Sequence, residues 1–236
     1  MIGYCYWSGE GLEKNYKIAA EWWKKAAEKG HAGAQYKIGY CYALGDGVEE
    51  DHKMAAEWWK KAAEQGHAEA QYAIGGCYCH ELGVEKDTKI AAEWWMKAAE
   101  QGHAEAQYQI GQIYYCSILF DSAAREKAVE WWKKAAEQGH AEAQYQIGKC
   151  YYNGEGVEKN YKIAVEWWKK AAEQGHAETQ YKIGYCYYLG DGVEKNTKIA
   201  AEWWKKAAEQ GDKKSLNKLH ELKNPFSRIK NVISKK

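Results

Sequence analysis

The sequence predicts an all-α solenoid of six 36-residue helix pairs closed by a C-terminal capping helix. Three observations carry that prediction. First, Trp-Trp pairs recur at Trp22/Trp23, Trp58/Trp59, Trp94/Trp95, Trp131/Trp132, Trp167/Trp168 and Trp203/Trp204, in steps of 36, 36, 37, 36 and 36 residues, a period in the range of stacked helical repeats. Second, blocks rich in Ala, Lys, Glu, Gln and Trp suit helices, and the chain of 236 residues holds one Pro. Third, glycines and Asn or Asp return at the same register in each unit, where helices would stop and start.

One unit, 176–211, reads HAETQYKIGYCYYLGDGVEKNTKIAAEWWKKAAEQG. Its first helix is expected from about Ala177 to Leu189, ended by Gly190 in a left-handed cap. Gly190-Asp191-Gly192-Val193 turns the chain, and Asn196 caps a second helix from Thr197 to Gln210 that stops at Gly211. Asn15, Asp51, Asp87 and Asn160 are the counterparts of Asn196. Ile199, Trp203 and Ala207 are expected on one buried face, with Glu202 and Lys206 paired on a solvated one. The small residues Ala177, Gly184, Ala200 and Ala207 are expected where helices approach, with the Trp residues as core and ridge. The histidine that opens each unit stands near the helix N-cap, and Asp212 replaces it at the end.

The other units follow in register: a truncated one over 1–30, then 31–66, 67–102, 103–139 and 140–175. The unit 103–139 is irregular. The GxGV turn is lost between Tyr115 and Trp131, Ile118-Leu119-Phe120 stands in its place, and Asp121 or Ser122 is expected to cap a longer second helix. Leu119 or Phe120 would replace the buried Val and change the local curvature. Residues 212–223 keep Leu216, Leu219 and Leu222 but gain lysines, as a terminal repeat with a polar outer face would. Asn224-Pro225 ends it, and 224–236 is a basic tail.

Formal net charge is +1, so the chain as a whole has no bias toward nucleic acid or a charged membrane. The charge is uneven: residues 212–236 hold eight Lys or Arg against two acids. No run of 18 apolar residues would span a bilayer, and Met1 opens no signal-peptide pattern. Ile2-Gly3 aligns with Ile38-Gly39, so the chain opens inside a unit, as expected of a chain with sequence upstream. A monomer is expected.

The pattern AxAQYxIGxxYxxGxGV, then Asn or Asp, then AxxWWxKAAEQG, resembles the Sel-one-like repeat (SLR) family, relatives of the tetratricopeptide repeats, over about residues 1–223. The resemblance implies a right-handed superhelix of antiparallel helix pairs. It also implies a scaffold or adaptor role: assembling complexes, serving protein quality control, or contacting host proteins in some bacteria. It does not fix the partner. Some cysteine-rich relatives place a disulfide between the second helix of one repeat and the first of the next. Here the corresponding positions are Ala27 and Gln35.

Five cysteines (Cys5, Cys41, Cys77, Cys150 and Cys186) share one repeat position whose sixth occupant is Ile113, which marks an apolar environment. Copies one repeat apart lie roughly 10 Å from each other, beyond the ~7 Å Cα separation of a disulfide. Free thiols suit a reducing, cytoplasmic compartment, with a secreted or host-directed location open if a signal lies upstream. Cys77, Cys79 and His80 point apart on a helix and are not expected to converge on zinc. No nucleophile, metal or phosphate motif appears, and no cofactor is expected.

The candidate site lies where the copies differ. The residue after Ile-Gly is Tyr4, Tyr40, Gly76, Gln112, Lys149 and Tyr185; three residues on it is Trp7, Ala43, Cys79, Tyr115, Tyr152 and Tyr188. A packed core does not accept such a mixture, so these positions are expected at the surface. By resemblance to tetratricopeptide proteins they face the concave groove. Tyr36, Tyr72, Tyr108, Tyr145 and Tyr181 of the Gln-Tyr step either join that aromatic groove or pack between repeats. The best anchor is expected in the C-terminal half, where Tyr181, Tyr185 and Tyr188 cluster beside Tyr145, Lys149 and Tyr152. The leading function is a non-enzymatic scaffold for a protein or peptide partner. The alternatives are a hydrolase of the penicillin-binding kind, as linked to cysteine-rich relatives, and a structural piece of a larger regulator.

The thiol reading is directly testable. Alkylation of the unfolded, unreduced protein is expected to modify all seven cysteines; an intact mass short of alkyl groups in pairs would refute it.

Overall fold

The computed structural model describes residues 2–117 and 122–223. Thirteen α-helices occur among them and no strand. The chain divides into two units, residues 1–113 and 114–236. The first holds α1 (Ile2–Ser8), α2 (Tyr16–Glu28), α3 (Ala32–Leu44), α4 (His52–Glu64), α5 (Ala68–His80), α6 (Thr88–Glu100) and most of α7 (Ala104–Ser117). The second holds the end of α7 with α8 (Ser122–Glu137), α9 (Ala141–Asn153), α10 (Tyr161–Glu173), α11 (Ala177–Leu189), α12 (Thr197–Glu209) and α13 (Lys213–Lys223). From α1 to α12, odd-numbered helices carry Ile-Gly and are here A helices; even-numbered ones carry Trp-Trp and are B helices.

Helix boundaries follow local chemistry. Asn15, Asp51, Asp87, Asn160 and Asn196 each accept the backbone N–H three residues on, at 3.0–3.1 Å, which satisfies one orphan donor of each B helix. A helices end on left-handed residues, among them Gly45 and Gly190. Glu81 takes that conformation at φ 60°, alone among described non-glycine residues. In the irregular unit, α8 has 16 residues against 13 in α10, the longer second helix expected there. Asp121, and Leu119 or Phe120 in the valine position, lie outside the described residues.

In five pairs the A helix is locked to its B helix by one indole. A Cβ on Gly39 would stand 2.7 Å from the Trp59 ring, on Gly75 2.5 Å from Trp95 and on Gly184 2.5 Å from Nε1 of Trp204. The bare glycine also opens the carbonyl three residues earlier. Nε1 of Trp59, Trp95, Trp168 and Trp204 donates to the carbonyls of Tyr36, Tyr72, Tyr145 and Tyr181, each at 3.1 Å. The deepest residues of α12 are therefore Ala200, Trp204 and Ala207. This corrects the expected Ile199–Trp203–Ala207 face by one residue, since Ile199 and Trp203 are half-buried. Lys206 likewise does not pair with Glu202: its ammonium lies 4.4 Å from the Trp203 ring centroid, and the same Lys-on-Trp contact recurs at 4.0–4.2 Å in α4, α6, α8 and α10.

Repeats are joined by a buried glutamine and a turn. Gln35 Nε2 donates to the Ala27 carbonyl of the preceding B helix at 3.2 Å, and its Oε1 accepts from Gln65 at 2.6 Å. Gln71, Gln144 and Gln180 repeat both contacts. A neutral hydrogen bond thus occupies the Ala27–Gln35 position where cysteine-rich relatives cross-link. At the turn, a Cβ on Gly47 or Gly192 would overlap the backbone at Tyr16 or Tyr161 in the preceding B helix, so these glycines set the approach of successive repeats.

The capping helix α13 starts at Asp212, whose carboxylate accepts from the Ser215 N–H at 2.8 Å. Ser215 is the residue it buries, whereas Leu216 is exposed, contrary to the apolar reading of that leucine. Among the described residues no helix is long and apolar enough to cross a membrane.

Neighbouring glycines in α5 give a test of the packing. No atom comes within 4 Å of a Cβ built on Gly76, so Gly76→Ala is expected to stabilise by up to about 1 kcal/mol through helix propensity. Gly75→Ala is expected to destabilise by about 1–3 kcal/mol through overpacking against Trp95. Urea unfolding of the two variants, with opposite shifts in midpoint, checks this.

Candidate functional site

The Gln-Tyr tyrosines pack between repeats. The Tyr36, Tyr72 and Tyr145 rings stack on His67, His103 and His176 of the following repeat, with centroids 5.1, 4.7 and 5.1 Å apart. Tyr145 is only 9% exposed. Burial is the main cause that pushes the Tyr72 phenol up to about 12 and raises Tyr36 and Tyr145. Each histidine has a second task. Nδ1 of His67, His103 and His176 accepts the backbone N–H three residues on, at 3.2–3.3 Å, and so caps its A helix. At the end of the array Asp212 stands in for histidine, and Tyr181 instead faces Tyr185 at 6.3 Å and the Lys214 ammonium at 5.9 Å. Tyr108 accepts a bond from Gln112, one turn on.

The second variable position differs from expectation. Tyr115, Tyr152 and Tyr188 are half-buried, with rings 5.2, 5.3 and 5.5 Å from Trp132, Trp168 and Trp204. The Tyr115 hydroxyl donates to Glu155 at 2.7 Å and that of Tyr152 to Asp191 at 2.8 Å, both acids of the next GxG turn. These are ties between repeats. Where Ala43 replaces the tyrosine, the facing turn carries Leu82 in place of the acid. A Tyr188→Ala change would consequently strip packing from Trp204, which corrects the expectation that it leaves folding untouched.

What remains open in each unit is a narrow strip on its A helices. Tyr4 and Tyr40 are 46% and 40% exposed, while Gly76, Gln112, Lys149 and Tyr185 are half-buried on the same register. The Lys149 ammonium lies 5.3 Å over Tyr115. One turn further on, Leu44 and Leu189 are 55% and 45% exposed. Their register reads Leu44, His80, Cys116, Asn153 and Leu189. Sequence reasoning missed this set, although the same test of non-uniformity would have found it. In the first unit the strip opens into a cleft of about 220 Å³ lined by Trp7, Trp23, Tyr36, Lys37 and Tyr40.

Burial pushes the thiols of Cys41, Cys150 and Cys186 up to about 12 and that of Cys77 to about 11, which starves them of thiolate at neutral pH. No group of three metal-ligating side chains converges among the described residues. Cys77 is buried while His80 is exposed, so that cluster diverges as expected.

A family model described as Sel1 repeat matches residues 1–31, 32–67, 68–103, 104–140, 141–176 and 177–212. Among solved structures, a protective antigen of uropathogenic Escherichia coli strains that displays an SLR fold is 34% identical, with a TM-score of 0.88 over 94% of this chain and 48% of that one. This chain thus spans about half the length of that protein. A Sel1 repeat protein from Oxalobacter formigenes is 35% identical, with a TM-score of 0.74 over 87% of this chain and 82% of that one. An immunity protein from Pseudomonas aeruginosa shares the fold at 21% identity and a TM-score of 0.51, over 86% of this chain and 80% of that one. No curated protein matches.

The capping histidines predict a pH dependence. Burial holds His103 below its ordinary 6.5, against the upward pull of Glu69 and Glu105. The unfolded chain therefore takes up this proton first, so the contribution is complete above 6.5 and is lost as pH falls through the lower folded value. His103→Asn keeps a capping acceptor but cannot titrate. Its urea midpoint is expected to fall less between pH 7 and pH 5 than that of the parent; an equal fall would count against the assignment.

Proposed function

The chain belongs to the Sel1 repeat family, and on that premise we propose that it is a non-enzymatic scaffold that binds a segment of a partner protein on the exposed A-helix strip within either of its units. Sel1 repeats generally serve as protein–protein interaction scaffolds. One observation carries the finer reading. Units that copy Gln, Ile, Gly and both Trp almost without change differ along this strip, which is also where Tyr4, Tyr40, Leu44 and Leu189 stand exposed. Residues that hold the fold are constrained by their neighbours; residues that meet a partner are constrained by it. Tyrosine suits such a surface because it offers an apolar body, a polar tip and few torsions.

The expected anchors narrow accordingly. Tyr40, Lys149 and Tyr185 remain on the strip, while Tyr115, Tyr145, Tyr152 and Tyr188 support it from beneath. Burial of Cys41, Cys77, Cys150 and Cys186 counts against these four as nucleophiles for the alternative, a hydrolase of the penicillin-binding kind.

Selection from a displayed library of random peptides tests this without knowledge of the partner. Selected peptides are expected to lose at least about tenfold in affinity for a Leu44→Ser, Leu189→Ser variant, whose melting temperature stays within about 2 °C of the parent's because exposed positions contribute little to stability. Peptides that bind the variant equally well, or a library that yields no binders, would overturn the reading.

A further inference from the structure

We propose that the cleft beside α1, α2 and α3 recognises a partner segment in which an apolar side chain stands next to an acidic residue, the apolar group lying on the rings and the carboxylate on Lys37. The inference rests on the scaffold reading and narrows it to one kind of partner sequence.

Size limits the occupant first. About 220 Å³ is below the roughly 300–1,000 Å³ of sites for drug-sized ligands and accommodates a single side chain. The walls then set its chemistry. Trp7, Trp23, Tyr36 and Tyr40 present aromatic surface, and Trp7 packs obliquely against Tyr4 and Trp23, with centroids 6.2 and 6.5 Å away.

Charge sets the rest. Lys37 is the single charged residue lining the cleft. Its ammonium lies 5.5 Å from the Tyr36 centroid and 6.0 Å from that of Trp7, and no described carboxylate pairs with it. A cationic ligand would compete with Lys37 for the same ring faces. A neutral ligand would cover the ammonium without replacing its water. A carboxylate converts it to a charge-assisted hydrogen bond, a stronger interaction than contact with a ring at this distance.

Four of the five residue types recur 145 positions later as Trp168, Tyr181, Lys182 and Tyr185, with Tyr152 in the place of Trp7. There the Tyr152 hydroxyl is already bonded to Asp191, so an incoming carboxylate would meet one in place. In the first cleft Trp7 has no hydroxyl, and Asp46, the counterpart of Asp191, is not among the lining residues. The inference is accordingly confined to the first set.

The test follows the indole N–H signals of the full chain by NMR, with Trp7 assigned through Trp7→Phe. The probes are acetyl-Glu-Leu-Asp-amide and its neutral counterpart acetyl-Gln-Leu-Asn-amide. The acidic peptide is expected to shift the Trp7 signal saturably. Affinity is expected to fall about tenfold with the neutral peptide and in Lys37→Gln, and to stay unchanged in Lys182→Gln. Circular dichroism melts matched to the parent show that the Lys37 variant is folded. No Trp7 shift up to the solubility limit of the acidic peptide, or equal affinity in Lys37→Gln, would overturn the proposal. Equal binding of the neutral peptide would overturn its carboxylate half and leave the scaffold reading standing, since that reading falls only with the library selection.

Discussion

The contact on which the fold depends is an indole laid on a glycine. In five repeat pairs the second tryptophan of the B helix meets the Ile-Gly glycine of the A helix. In four of them its N–H reaches the carbonyl one turn earlier. Two requirements meet in one residue. A tryptophan must bury a large apolar area and still find an acceptor for its N–H; a helix surface can supply that acceptor only where no side chain covers the carbonyl. Glycine meets both, at a cost of about 1 kcal/mol in helix propensity, which the buried indole more than offsets at roughly 25 cal/mol per Å².

Once that contact fixes the rotation of each A helix, the roles of its other faces follow. Gln35 and its counterparts turn toward the preceding B helix and satisfy the carbonyls at its C-terminal end. The Gln-Tyr tyrosine turns toward the next repeat and stacks on its capping histidine. Each of these ties joins nearest neighbours only, so stability accumulates along the array as repeat and interface contributions. The face left over has no structural duty, and there the copies diverge. Divergence at exposed positions without such ties is what supports the proposal that recognition lies there.

In one repeat both partners of a tie change together, although Trp7 lacks the hydroxyl and Asp46 keeps the acid. Ala43 faces Leu82, whereas Tyr115 and Tyr152 face Glu155 and Asp191. A half-buried carboxylate without its hydroxyl would be left with a weaker environment than water offers, and leucine removes that cost. The left-handed cap is less forgiving: Glu81 occupies it at φ 60°, a conformation that disfavours any residue with a Cβ.

Helix number, caps and turns were legible in the sequence because they depend on local chemistry: Asn196 caps α12 and Gly190 ends α11 with or without neighbouring repeats. The tie at the Ala27–Gln35 position was legible in part, since Gln stands where relatives place cysteine. Which Trp meets the Ile-Gly glycine was not legible, because both lie on the apolar side of the helix and the choice is made by a glycine some twenty residues away. Nor was the fate of the tyrosines. Tyr152 and Tyr185 look alike as variable aromatic positions, yet one is bound to an acid of the next turn and the other lies on the open strip. Sequence by itself determined the repeat, its helices and the register of variation. Only the tertiary structure decided which variable side chains are spent between repeats and which remain available, because that depends on contacts made 30 to 40 residues away.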